Sequence, residues 1–331
     1  MFKKIIGTVL TLSLVLCGCA RNDAAGRELS QSPASPTPFV SPITSPVPPA
    51  QMTDEPELNV YIVAEENVHK MPMEEYLLGV LAGEMQNDWP LEALKAQAII
   101  ARTFAVKFLR DKGEGASKYE GADISTDIEE AQAYDAQGIN ERIRQAVEET
   151  RGLVITHQGE PVYAWFHSHS GGQTALAVEG LDYEGVEQAY IKSVKSNESA
   201  EAPEETTEWS ATFSAQEIIN AAGELGIDIS SAAGMKIGAL GESGRVAEFD
   251  FGGVSVPAAA LRVKLGADKM RSTLIDRIDA DNAQVVFSGR GYGHGVGMSQ
   301  WGAFAMANEG RSAEEIVEYY YADVAIEQLW R

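Results

Sequence analysis

The sequence predicts an α+β protein: a single mixed core domain with a small α/β insertion, set behind a disordered tether. Three observations carry this. Apolar residues recur at helical spacing in some segments and alternate in others, without the regular strand–helix order of a doubly wound sheet. Hydrophobic residues make up 44% of the 331 positions and charged residues 23%, which is enough apolar material for a packed core and excludes a wholly disordered chain. The first 57 residues differ sharply from the rest, being an apolar run followed by a proline-rich stretch.

Lys3 and Lys4 precede an apolar run over 5–16 that is too short to cross a bilayer and has the order of an export signal. It ends in Leu16-Cys17-Gly18-Cys19, which resembles the lipobox of bacterial lipoproteins. The resemblance implies that 1–18 is removed and that Cys19 is acylated, tying the chain to the outer face of the cytoplasmic membrane. An uncleaved signal anchor is the other reading, and it also leaves the body outside that membrane. Eight of the 13 prolines fall between Pro33 and Pro56, so 19–57 reads as an extended linker of a lipoprotein. Cys17 and Cys19 are the only cysteines, which excludes a disulfide framework and a Cys-rich zinc module. Forty-nine acidic against 26 basic residues, a net charge of −23, argue against a nucleic-acid partner, since phosphate binding needs a basic face.

Within the body, 58–331, the first strand is predicted at 58–63. Pro72, Glu74 and Glu75 open a helix with apolar Leu77, Leu78, Val80, Leu81 and Met85. A turn at 87–90 leads to a helix over 91–110, whose stripe of Leu94, Ala98, Ala101, Ala105 and Phe108 implies close packing. A helix at 141–150 precedes strands at 153–156 and 162–167, with a hairpin turn at Gly159-Glu160. The acidic stretch 197–208 reads as an exposed loop. A helix at 215–225, strands at 235–240 and 246–251 and a helix at 257–265 make up an inserted subdomain, about 209–282. A strand at 284–288, a glycine-rich loop and a helix at 312–321 close the chain.

Two segments carry most of the chemical signal: YLLGVLAGEM at 76–85 with WPLEALKAQAIIART at 89–103, and GRGYGHGVGMSQWGA at 289–303. With HSHSGGQT at 167–174 and Gln132-Ala-Tyr134, they resemble the sporulation stage II protein D (SpoIID/LytB) family from Leu58 to the C-terminus. The resemblance implies a peptidoglycan lytic transglycosylase. Such an enzyme cuts the MurNAc-GlcNAc bond of glycan strands lacking stem peptides, leaves 1,6-anhydro-MurNAc ends, and needs no cofactor. It also implies a wall amidase as a partner, and the LytB branch offers a different function, a non-catalytic glycan-binding amidase enhancer. Zinc-binding members carry a Cys-x5-Cys pair before the Gln-x-Tyr motif; Ser125 and Ala131 stand there in this chain, so that metal site reads as lost. The lipobox also departs from the membrane-spanning anchor described for the sporulation protein.

Glu84 ends an apolar helix face, after Gly79 and Gly83, where a ligand could approach the backbone. A carboxyl in apolar surroundings holds its proton towards neutral pH and can act as general acid. Transglycosylation needs no second carboxylate, because the 6-hydroxyl of the muramic acid attacks C1. Taken without the motif, a helical glutamate is more often solvated surface. Arg102, in an alanine-rich helix, reads either as half of a structural salt bridge or as a partner of Glu84 or of the lactyl carboxylate, the last preferred because a direct pair would favour ionised Glu84. Alternating glycines at 289–297 predict an extended ribbon with one bare face, on which His294 contacts substrate, orients Glu84 or is simply structural. Gln132, Ser170, Gly171, Tyr190, Ser299 and Gln300 complete the substrate-binding set that the resemblance implies, with Trp301 stacking on sugar or filling core. His167 and His169 share metal-ligand spacing if their strand continues, with His294 as a third ligand, but no HExxH or Cys supports a zinc hydrolase.

Overall fold

Residues 54–113 and 115–331 are described by a computed structural model of the chain; the predicted export signal, Cys19 and nearly all of the proline-rich stretch lie outside them. Leu58, Val60 and Ile62 alternate with polar neighbours and bury one face of β1 (Glu57–Ile62). β2 (Asn67–Pro72) pairs with it antiparallel, and the first helix, α1 (Met73–Glu84), begins directly after Pro72. Proline is tolerated there because the first amides of a helix have no intrahelical acceptor. The second helix, α2 (Leu91–Lys112), starts after Pro90 in the same way and is buried along most of its circumference. Ala93, Ala96, Ala98, Ala101 and Ala105 let its neighbours pack closely, as the alanine content predicted. β3 (Ile124–Ser125) lies parallel to β1.

Next come α3 (Glu141–Glu149), capped by the Asn140 side chain, then β4 (Leu153–His157) and β5 (Glu160–Pro161). The turn between these strands is Gln158-Gly159, one residue earlier than predicted. Both residues have positive φ, 53° and 82°, which suits the right-handed twist of a two-residue hairpin. The strand predicted at 162–167 is broken. A tight turn in which the Trp165 N–H donates to the Tyr163 carbonyl (3.0 Å) interrupts it, and only β6 (Phe166–His167) resumes pairing. The short α4 (Ala177–Gly180) ends this part of the chain.

A second apolar core then forms from 209–287, with Phe213, Ile218, Phe249, Leu261 and Phe287 at its centre. Its elements are α5 (Glu204–Thr207), β7 (Glu208–Ser214), α6 (Ala215–Glu224), β8 (Lys236–Leu240), β9 (Val246–Asp250), β10 (Ser255–Pro257), α7 (Ala258–Leu265), β11 (Ile275–Ala280) and β12 (Gln284–Arg290). They build two three-stranded sheets, β11-β12-β7 and β10-β9-β8. The predicted loop at 197–208 is not simply exposed: the Glu198 side chain is only 9% accessible, Thr206 is buried, and α5 occupies its end.

The chain returns to the first core through β13 (Met298–Ser299), parallel to β6, then α8 (Gln300–Asn308), α9 (Ala313–Tyr320) and β14 (Ala325–Gln328) against β4. α8 was not expected from its glycine-rich approach. Ser299 starts it by accepting from the Gly302 N–H, and Trp301, Ala303 and Phe304 bury one side.

One buried ion pair ties these pieces together. Arg102 has no exposed surface and grips Glu74 at both oxygens, Nε to Oε1 at 3.0 Å and Nη2 to Oε2 at 2.7 Å. Glu74 Oε1 also accepts from Gly152 N (3.0 Å) and Trp330 Nε1 (2.9 Å), so α1, α2, the start of β4 and the C-terminus converge on one carboxylate. Removing one partner strands the other charge in the core. Arg102→Met is therefore expected to cost about 3–5 kcal/mol in urea unfolding. The Glu74→Met/Arg102→Met double variant should lose clearly less than the sum of the singles, and additive losses would contradict a coupled pair.

Candidate active site

Glu84 is the last residue of α1, on a face where Gly79 and Gly83 leave room for the 131–135 segment to lie against the helix. A Cβ on Gly83 would stand 2.6 Å from the Tyr134 nitrogen, and one on Gly79 would meet the Tyr134 ring at 2.2 Å. The Asp135 N–H donates to the Gly79 carbonyl (2.9 Å), and the Ala133 N–H donates to Glu84 Oε1 (2.7 Å). That amide is the carboxyl's hydrogen-bond partner from the protein. The residue as a whole is half-buried. Burial pushes the Glu84 carboxyl up to about 7, the Ala133 N–H drawing it back only in part. The C-terminal end of α1 also disfavours a negative charge at this position.

The glycine-rich segment leads into Gln300, though not as a regular extended ribbon. Gly291, Gly293, Gly295 and Gly297 have φ of 79°, 111°, 85° and 73°, conformations that side chains rarely adopt. The segment winds through the left-handed region at every second residue, and its bare positions are filled by neighbouring protein. A Cβ on Gly297 would stand 1.9 Å from the Trp165 carbonyl oxygen. At its end, Gln300 donates through Nε2 to the Glu84 carbonyl oxygen (3.1 Å), satisfying an end-of-helix acceptor. Trp301 is buried against Trp89, the ring centroids 4.5 Å apart, and fills core rather than offering a sugar platform.

Behind Gln300 lies a second carboxylate that the sequence did not single out. Glu198 accepts from Ser170 N (3.0 Å), from the Ser170 hydroxyl, and from Ser299 Oγ (2.8 Å), while His169 Nε2 stands 4.0 Å from its Oε2. Arg245, fully buried, holds the same turn from the second core by donating to Ser170 O (2.6 Å) and Gln173 O (2.8 Å). Glu198 was hidden by its setting in an acidic, loop-like stretch.

The expected site residues therefore divide. Ser170 and Ser299 are linked by hydrogen bonds through Glu198, and Gln300, next in the chain to Ser299, donates to the Glu84 carbonyl. Ser170 and Ser299 are enclosed and act on one another's neighbours, while Gly171, partly exposed, donates to His169 Nδ1 at 3.1 Å. Gln132, 2% exposed, flanks the Ala133 donor and reaches Ala101 O through Nε2 (3.3 Å). Arg102 does not belong to this cluster: its guanidinium is spent on Glu74. Tyr190 is buried, with its hydroxyl accepting from Tyr163 N (2.9 Å), so it packs rather than lines the opening. His294 accepts at Nδ1 from Val296 N (3.0 Å); burial, then the charges of Arg262 and Arg245, push its imidazole down to about 3. His167 also uses Nδ1 on the backbone, at Val296 O (3.1 Å), and its strand ends there, so His169 follows in a different setting. Among the described residues no group of three or more His, Cys, Asp or Glu side chains is arranged to hold a metal ion.

The Glu84 environment has a measurable cost. A carboxyl raised from the ordinary range to about 7 leaves the fold unaffected below pH 4–5, and destabilises it progressively as pH rises through 7. Glu84→Gln keeps an acceptor for the Ala133 N–H without the charge. It should match the parent in urea unfolding at pH 4.5 and exceed it by roughly 2–3 kcal/mol at pH 9. Equal stabilities at pH 9 would mean that the carboxyl is well solvated.

A family model described as "Stage II sporulation protein" (SpoIID) matches residues 63–157, the span that contains α1, α2 and the segment docked on Glu84. Stage II sporulation protein D of Bacillus subtilis (strain 168) is 34% identical over 281 residues, covering 81% of this chain and 78% of that protein. Stage II sporulation protein D of Bacillus amyloliquefaciens is 31% identical over 309 residues, 89% of this chain and 82% of that one. A protein named amidase enhancer, also from Bacillus subtilis (strain 168), is 27% identical over 289 residues, 74% of this chain and 39% of its own length. Identity at this level, across most of both chains, means that the protein belongs to the stage II sporulation protein D (SpoIID) family.

Proposed function

We propose that this chain acts on the cell wall outside the cytoplasmic membrane, as a peptidoglycan lytic transglycosylase with Glu84 as its general acid and base. The observation that carries the reading is the raised Glu84 carboxyl at the end of α1, half-buried and, among the described residues, hydrogen-bonded by the Ala133 N–H alone. In the protonated form Glu84 gives its proton to the glycosidic oxygen as the bond from C1 of the muramic acid breaks. The 6-hydroxyl oxygen of the same sugar bonds to C1, and its proton passes to the now ionised Glu84. One glycosidic bond is exchanged for one anhydro bond, the proton count closes, and no water is consumed. A carboxyl near its midpoint at neutral pH suits both halves of this exchange.

Denuded glycan strands incubated with the protein should release products with 1,6-anhydro-MurNAc ends, identified by mass spectrometry. Glu84→Gln should lower release by about 10²–10⁴-fold. Because the acid must start protonated, kcat/KM should be level below pH 7 and fall as pH rises beyond it. The likeness to an amidase enhancer supports a second reading, in which the cleft holds glycan for a wall amidase without cutting it. Glycan binding with no anhydro product from either protein would favour that reading.

The lipobox-like Cys19 supports a position on the outer membrane face, with the proline-rich stretch as spacer. The full chain should sediment with membranes, and Cys19→Ala should shift it to the membrane fraction only as an unprocessed precursor. Unchanged size and fractionation would remove the lipid anchor.

A further inference from the structure

In a chain with net charge −23, three guanidinium groups from the second core lie near the glycine-rich segment, and none forms an ion pair among the described residues. Arg262 is 6% exposed and makes one long hydrogen bond, Nη2 to Ala267 O at 3.3 Å; its Nε is enclosed and unpartnered. Arg271, partly exposed, lies over the Tyr292 ring with its guanidinium carbon 5.2 Å from the centroid. Neither forms an ion pair among the described residues. Arg245 packs against Gly295. It is spent on backbone carbonyls, with Glu179 and Glu198 at longer range, and its charge bears on Arg262.

A buried guanidinium held by one weak bond is costly, and a partner that satisfies it bidentately recovers that cost. The flanking imidazole does not serve: His294 Nδ1 is already occupied, and the ring is neutral at physiological pH. Arg290 lies nearby but is paired with Asp276 (3.0 Å). The Gly293 N–H donates to the Arg271 carbonyl (2.8 Å), so the Arg271 backbone is tied to the glycine-rich segment that leads to Gln300, whose side chain donates to the Glu84 carbonyl.

We infer that Arg262 and Arg271, both near Tyr292, form a binding subsite for a carboxylate carried on a sugar. This rests on the glycan reading above and places in the second core a specificity element for strands whose lactyl carboxylate is free. A strand whose carboxylate is capped by a stem peptide presents an amide instead, and a guanidinium pair discriminates against it.

The test uses the full chain carrying Glu84→Gln, so that binding is read without turnover. The probes are a peptide-free GlcNAc–MurNAc tetrasaccharide and an N-acetylglucosamine tetramer of equal length, titrated calorimetrically. The acidic oligomer is expected to bind about tenfold more tightly, the preference shrinking with salt. Arg271→Gln and Arg262→Gln should each erase most of that preference while leaving the neutral tetramer within about twofold. Should Arg262→Gln fail to fold, the partly exposed Arg271 still decides the matter. Equal affinities in the parent, or equal losses for both oligomers, would overturn the subsite. Stronger competition by poly(glycerol phosphate) than by the acidic oligomer would overturn the carboxylate assignment in favour of a wall phosphate. Because the readout is selectivity in binding, absence of cleavage would sink the transglycosylase reading and leave this one standing.

Discussion

α1 carries a carboxylate at each end, and the helix connects two opposite electrostatic environments. At its start Glu74 is clasped by both arms of Arg102, by the Gly152 amide and by the Trp330 indole. At its end Glu84 meets one backbone amide and an apolar surround. Twelve residues of helix form a stiff rod of about 18 Å, so the anchored end fixes where the other can be. The position of Glu84 is thus set largely by an ion pair that takes no part in its chemistry.

Most side chains around Glu84 act on the protein rather than on a ligand. Gln300 holds the end of the helix, Ser299 starts the helix that carries Gln300, and Glu198 joins Ser299 to Ser170. Arg245 reaches over from the second core to hold the same turn. The proposed role of Glu84 needs its donor geometry and its dryness kept together, and a chain of satisfied buried polar groups does this where an apolar contact alone would slide.

Periodicity made α1, α2, α6 and β1 legible in the sequence, because in each the buried face follows the period of the element. The motif made Glu84 legible. Arg102 was left between two roles because its partner sits 28 positions earlier, and only the fold brings Glu74 to it. The glycine-rich segment misled in a different way. Alternating glycines read as a strand with one bare face, whereas here they mark alternate left-handed residues, a difference visible only in φ. Glu198 gave no signal at all, since one glutamate among several in a polar stretch carries no period. The strand expected at 162–167 failed for a local reason, the turn at Tyr163–Trp165, which apolar content alone does not reveal.

The surroundings that hold a proton on Glu84 at neutral pH are the same ones that make its ionised form costly to the fold. If water entered freely between α1 and the 131–135 segment, both effects would vanish together and the carboxyl would return to the ordinary range. The close docking across Gly79 and Gly83 therefore belongs to the chemistry as much as to the packing. A side chain at either glycine would push the Ala133 amide away and open a path for water. Those two glycines, which contribute no functional group, help set the protonation state of the group proposed as the acid.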